Sequence, residues 1–218
     1  MAGDRAGAAA ADKRRVILDA AVVAFARLGF HQCRVSDIAE EANVSYGLLY
    51  HYFRSKDEVL DTLFCERWDI LLAFIAQTDT LDVPPRQKLH AIAAAIIDFY
   101  RYDPALMKVI IVEVMRSANT FGLRHSDRIA EAYVLIGEIV AKAQAAGSFK
   151  REVSPRFAAL AFYGAIEQVL TGWIFGMLPE GEDEYEQAKA SIVETICGGL
   201  DDTGRDTIPA ATPESLRG

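Results

Sequence analysis

Seven residues whose types and spacing fit one chemistry fall between positions 45 and 56: Ser45, Tyr46, Gly47, Tyr50, His51, Tyr52 and Lys56. Hydroxyl, phenol, imidazole and ammonium groups are hydrogen-bond partners for base edges and phosphate oxygens, and a glycine among them lets the backbone come close to what is bound. A glycine inside a helix costs about 1 kcal/mol relative to alanine, and close approach is a reason to carry that cost at Gly47. Lys56 opens a further helix, where its charge and the helix amides together suit a phosphate. Leu49 and Phe53, four apart, are the residues that must face inward. The plainer reading of Tyr50 and Tyr52, as core aromatics, stays open beside the phosphate reading.

The elements that position these groups follow from apolar periodicity. From Val35 to Lys56 a short helix stops at a turn with Asn43 as its left-handed residue and Val44 in the corner, and a second short helix follows. This is a helix-turn-helix, a module that lays its second helix in the DNA major groove. A helix from about Lys13 to Leu28 precedes it, ended by Gly29, with Phe30 set to fold back on Phe25. Ser55 to Glu58 forms a capping box for the next helix, which continues through Trp68. Further helices are expected at about 85–102, 104–117, 124–146, 155–177 and 184–198, with a connection over 119–123. The fold class is all-α: a three-helix head over 13–56 and a six-helix body over 57–200. Residues 1–12 and 201–218 read as disordered and flexible tails.

Composition agrees. The chain has 218 residues, 51% of them hydrophobic, and a net charge of −8, enough for one or two domains with a sizeable core. The charge is uneven: residues 13–56 hold seven Lys/Arg against four acids, a local +3, which leaves −11 elsewhere. A basic head on an acidic body suits a protein that touches phosphate at one end only. Cys33, Cys65 and Cys197 are far apart, and the four histidines are scattered, so neither a metal nor a disulfide framework is expected. No catalytic motif, phosphate loop or zinc spacing is present, so no cofactor and no enzyme activity are expected. The Ala/Gly-rich start lacks the apolar core of a signal peptide. The expected location is the cytoplasm, with no membrane partner.

Over about Arg15 to Leu60 the chain resembles the tetracycline-repressor (TetR) family of bacterial regulators. The resemblance is carried by Ile17 to Ala21, Phe25 to Phe30, Val35 to Ala42, Val44 to Phe53 and Ser55 to Leu60. It implies a DNA-binding head and an all-helical body that binds a small ligand and dimerises through its last two long helices. It places Ser45, Tyr46 and Gly47 near bases, and Tyr50, His51, Tyr52 and Lys56 near phosphates of a double-stranded operator. Two positions depart from the family pattern. Arg34 stands where Thr or Ser is usual, offering a long cationic reach in place of a cap, and Asn43 stands where Gly is usual. Val112 to Ser117 and Phe162 to Trp173 resemble the branch that controls fatty-acid degradation and senses acyl-CoA.

The body leaves more open. A cavity lined by Trp68, Leu72, Ile96, Phe99, Tyr100, Val112, Met115, Tyr133 and Trp173 is expected from helical phase, with Arg116 holding the anionic end of an acyl-CoA. The pairs Glu113 with Arg116 and Asp98 with Arg101 read first as solvated surface pairs. Aromatic walls would also suit a cationic drug, which makes an efflux-pump repressor the alternative. A helical acyl-binding protein or enzyme without DNA binding is the alternative of another class. Phe157, Ala161, Ala165, Val169, Ile192 and Ile196 exceed what one side of a helix needs, which points to a four-helix homodimer interface.

Overall fold

The computed structural model describes the backbone of residues 2–115 and 124–200, with side chains from 11 to 113 and from 124 to 200. Arg116, the expected connection over 119–123 and the tail of residues 201–218 lie outside the described residues, as does the side chain of Met115. Among the described residues there are nine α-helices and no strand. The head comprises α1 (Ala2–Leu28), α2 (Val35–Glu41) and α3 (Tyr46–Tyr52). The body comprises α4 (Lys56–Asp79), α5 (Pro85–Tyr102), α6 (Pro104–Val109), α7 (Ser126–Ala145), α8 (Pro155–Ile174) and α9 (Glu182–Leu200). The α6 helix runs on into a π-helical turn, Ile110–Met115, where the sequence suggested plain α-helix.

Helix α1 starts at Ala2 rather than at Lys13. The preceding segment is rich in alanine, the best helix former, and so extends a helix that the downstream packing has already nucleated. Gly29 ends it at φ +76°, and Phe30 returns onto Phe25 with ring centroids 5.3 Å apart. The α2–α3 turn places Asn43 at φ 50°, a left-handed conformation that Asn tolerates better than most residues. Ile17, Phe25, Ile38, Leu49 and Phe53 are buried together and lock the three short helices into one unit. Ser45 and Ser55 cap α3 and α4 by accepting from Leu48 N (3.2 Å) and Glu58 N (3.1 Å).

The α4 helix joins head to body. Trp68 on its middle donates Nε1–H to the Arg128 carbonyl of α7 at 2.7 Å and stacks on Phe64. Helix α8 is long and apolar enough to cross a membrane by length and composition. Its apolar residues have other uses: Ala159, Phe162, Ile166 and Leu170 are buried in the protomer, while Phe157, Leu160 and Gly164 are exposed on another face. Asp98 and Arg101 do not pair with each other along α5, and the pair Glu113 with Arg116 lies outside the described residues. Asp98 instead takes the buried Lys189 of α9 at 2.5 Å, and Arg101 takes Glu182 at 2.6 Å. Packing of α5 on α9 offers each charge a partner closer than its neighbour on its own helix.

Candidate DNA face and ligand cavity

On α3, Ser45, Tyr46, Gly47, Tyr50 and His51 are exposed. A Cβ added at Gly47 would meet nothing within 4 Å, so the glycine is kept for no internal contact, as a surface meant for a close partner requires. The Tyr46 and Tyr50 hydroxyls are hydrogen-bonded at 3.1 Å, with rings edge to face at 4.8 Å. The bond to Tyr46, with desolvation second, raises the Tyr50 phenol above its ordinary range, which keeps it a neutral donor. Tyr52 is half-buried against the core and belongs more to packing than to the surface. Arg34 has no acceptor on its side chain. Its backbone N–H donates to Asp37 Oδ2 at 2.7 Å, the half of a capping box that the residue at the third helical position supplies.

Lys56 requires a correction. Its Nζ donates to three backbone carbonyls, Phe30 O at 2.7 Å, Cys33 O at 3.0 Å and His31 O at 3.1 Å, and lies 4.6 Å from the centroid of the Phe30 ring. All three ammonium protons are thereby used inside the head. Lys56 shapes the α1–α2 turn, and that turn, together with Arg34, Tyr50 and Arg54, walls a shallow polar concavity beside α3. Both His31 and Arg54 line it; a loop residue and a residue between two helices have no helical phase that would place them there.

The body encloses a cavity of about 260 Å³ among α4, α5, α6 and α8. Trp68, Ile96 and Phe99 of the expected set line it, joined by Arg67, Leu71, Phe74, Met107, Ile110, Ile111, Tyr163, Ile166, Glu167 and Leu170. Leu72, Val112 and Tyr133 are not on its wall. Tyr100 and Trp173 stack 5.6 Å apart in a separate cluster, where Tyr100 and Tyr185 both donate to Glu180 Oε1, at 3.1 and 2.6 Å. Burial and that carboxylate push the Tyr185 phenol up to about 12. The miss has a simple cause: α4 and α5 are apolar on more than one side, so phase alone does not tell the cavity side from the core side.

A family model described as bacterial regulatory proteins of the tetR family matches residues 17–63, and one described as a tetracyclin repressor-like C-terminal domain matches residues 85–196. The chain belongs to the TetR family. It is a transcription regulator and not an enzyme. The fatty acid metabolism regulator protein of Bacillus subtilis (strain 168) is 27% identical over 187 residues, covering 84% of this chain and 93% of that one. The solved structure of the fatty acid degradation regulator FadR from Bacillus halodurans is 28% identical, with a TM-score of 0.77 over 86% of this chain and 96% of that one. FadR from Bacillus subtilis, solved in complex with stearoyl-CoA, shares the fold at 24% identity and a TM-score of 0.76, over 85% of this chain and 98% of that one.

The exposed Tyr46 yields a prediction for this regulator. Tyr46→Ala is expected to change the ranking of operator variants by about 1–3 kcal/mol at one base position while leaving affinity for random DNA unchanged. Selection of bound sequences from a randomised pool would check it, and an unaltered preferred site would remove Tyr46 from the reading set.

Proposed function

We propose that the protein represses fatty-acid metabolism genes, binds a pseudo-palindromic operator as a symmetric homodimer in the cytoplasm, and is released by a long-chain acyl-CoA. The observation that carries this is the cavity. Its walls are almost wholly aliphatic and aromatic, as an acyl chain requires, and α4, which forms one of them, begins at the head. The relatives named above support the same ligand class. The excess of positive charge over residues 13–56 supports DNA as the partner of the head, and the exposed apolar stripe on α8 supports a second copy as the partner of the body.

The route from cavity to head is short. Ile110 and Ile111 line the cavity, and Glu113, on the same π-helical turn, accepts the Phe30 N–H at 3.2 Å. The Phe30 carbonyl is held in turn by Lys56. Lys108, one turn earlier, donates to the Ala26 carbonyl at 3.2 Å. An acyl chain that fills the cavity of about 260 Å³ presses on the wall that leads to Glu113, and that wall is tied to the head. Coupling of this kind typically amounts to ~1–3 kcal/mol.

Titrating the protein–operator complex with acyl-CoAs of increasing length is the test. Release at micromolar concentrations, lost in Glu113→Ala with both separate affinities intact, is expected. Release by a cationic dye and by no acyl-CoA would replace this reading with the drug-efflux one.

A further inference from the structure

Tyr46 and Tyr50 stand four residues apart on one exposed face of α3, the spacing at which helical side chains meet. Their rings lie edge to face and their hydroxyls are 3.1 Å apart, with Tyr46 donating. A phenol has one proton to give and lone pairs with which to receive. The hydroxyl that gives its proton to its neighbour has none left for anything else and only accepts. The neighbour keeps its own proton to give. The two tyrosines are therefore a polarised pair, not two equivalent donors. What lies beside Tyr50 fixes the sense of that polarity. Tyr50 shares the wall of the polar concavity with Arg34 and Arg54. Guanidinium groups donate and never accept, so the group that fits among these three residues is an acceptor, and a backbone phosphate is the one that a duplex brings. With the Tyr50 proton given to phosphate, the Tyr46 proton stays with Tyr50.

We propose that Tyr46 reads DNA as a hydrogen-bond acceptor, its own proton held by Tyr50, and so selects the amino group of an adenine or cytosine in the major groove. The inference rests on the DNA reading of the head given above. Adenine presents its N6 amino group in that groove and cytosine its N4 amino group, whereas guanine presents O6 and N7 and thymine O4, which only accept. A Tyr46 oxygen set against O6 or O4 leaves two acceptors facing each other, both stripped of water and neither bonded. Turning a base pair over exchanges its amino group for its keto oxygen, so an acceptor at this place reads the orientation of the pair. Gly47, next to Tyr46, has open space where a Cβ would stand, and the backbone does not hold the duplex away from the phenol. Tyr50 becomes a positioning residue, one that sets the preference at a base it does not touch.

The test uses the full-length protein and an operator selected from a randomised duplex pool, with affinities read by fluorescence anisotropy. The base pair at which Tyr46→Ala loses discrimination is the one Tyr46 reads. At that pair two probes are made, one lacking the amino group of adenine or cytosine and one lacking the keto oxygen of its partner base. Wild type is expected to lose roughly fivefold in affinity on the first probe, one hydrogen bond, and nothing on the second, each measured against the same change in Tyr46→Ala. Tyr50→Phe keeps the ring that packs on Tyr46 and removes the oxygen that receives its proton. In Tyr50→Phe the amino probe should cost nothing and the keto probe should now weaken binding, with preferences at other pairs unchanged. A wild type that loses affinity on the keto probe, or a Tyr50→Phe protein that still depends on the amino group, would overturn the proposal. So would a Tyr46→Ala protein that discriminates like wild type at every pair. If wild type selects no sequence from the pool, the DNA reading of the head itself fails.

Discussion

Lys56→Met will cost most of the operator affinity and leave its salt dependence almost unchanged. The three bonds from Nζ to the carbonyls of Phe30, His31 and Cys33 fix the loop that presents Arg34 and the start of α2. Hydrogen bonds to a charged group are worth about 1.5–3 kcal/mol each. Losing the equivalent of one through misplacement of the head lowers affinity roughly 10- to 150-fold. A lysine on a phosphate would behave differently: its removal reduces the slope of log affinity against log salt by about 0.9. Fluorescence anisotropy of labelled operator at several salt concentrations distinguishes the two. A slope lower by about one in Lys56→Met, with thermal stability intact, would return Lys56 to the phosphate backbone. Arg34→Ala should show that slope change, because the Arg34 side chain is exposed.

Phe157→Asp is the second large effect, and it acts on assembly. Phe157 is 65% exposed and Leu160 43% exposed on α8, and Gly164 continues the stripe with no side chain to hold a partner helix away. Burying such a phenylalanine is worth about 1.5–3 kcal/mol. A two-fold interface contains the residue twice, and an aspartate there must be desolvated in both copies. Sedimentation at micromolar concentration should show wild-type dimers and Phe157→Asp monomers of unchanged helicity, with operator affinity lower by two orders of magnitude or more because one head reads half a palindrome. A Phe157→Asp protein that stays dimeric would move the interface off this face. Ile192, expected in the same interface, is 6% exposed within the protomer, packed in the core. Ile192→Asp should therefore unfold the chain rather than split a dimer.

The head was largely legible because its signals are local. Gly29 and Asn43 mark left-handed positions, Ser45 and Ser55 mark caps, and Leu49 and Phe53 fall on one side of a two-turn helix. A short helix with one apolar face has one way to pack. The body has longer helices that bury two faces, and there the phase argument failed: Trp68, Ile96 and Phe99 line the cavity, but Leu72 and Trp173 turn to other neighbours. The residues expected at a dimer interface divide for the same reason. Phe157 is exposed and Ile192 is buried, although both are apolar residues on the last two helices.

The sequence by itself determined the all-helical class, the order of the helices and their approximate ends apart from the start of α1, the helix-turn-helix and the polar row from Ser45 to His51. Each of these rests on interactions between residues a few positions apart, which spacing encodes directly. Only the tertiary structure decided which charged side chain serves what. Lys56 reaches back 26 residues to Phe30, Glu113 reaches back 83 to the same residue, and Arg67 meets Phe99 across two helices. A long side chain carries its charge several ångströms from its own backbone, so its partner is set by which helices pack together, a property that no local pattern contains.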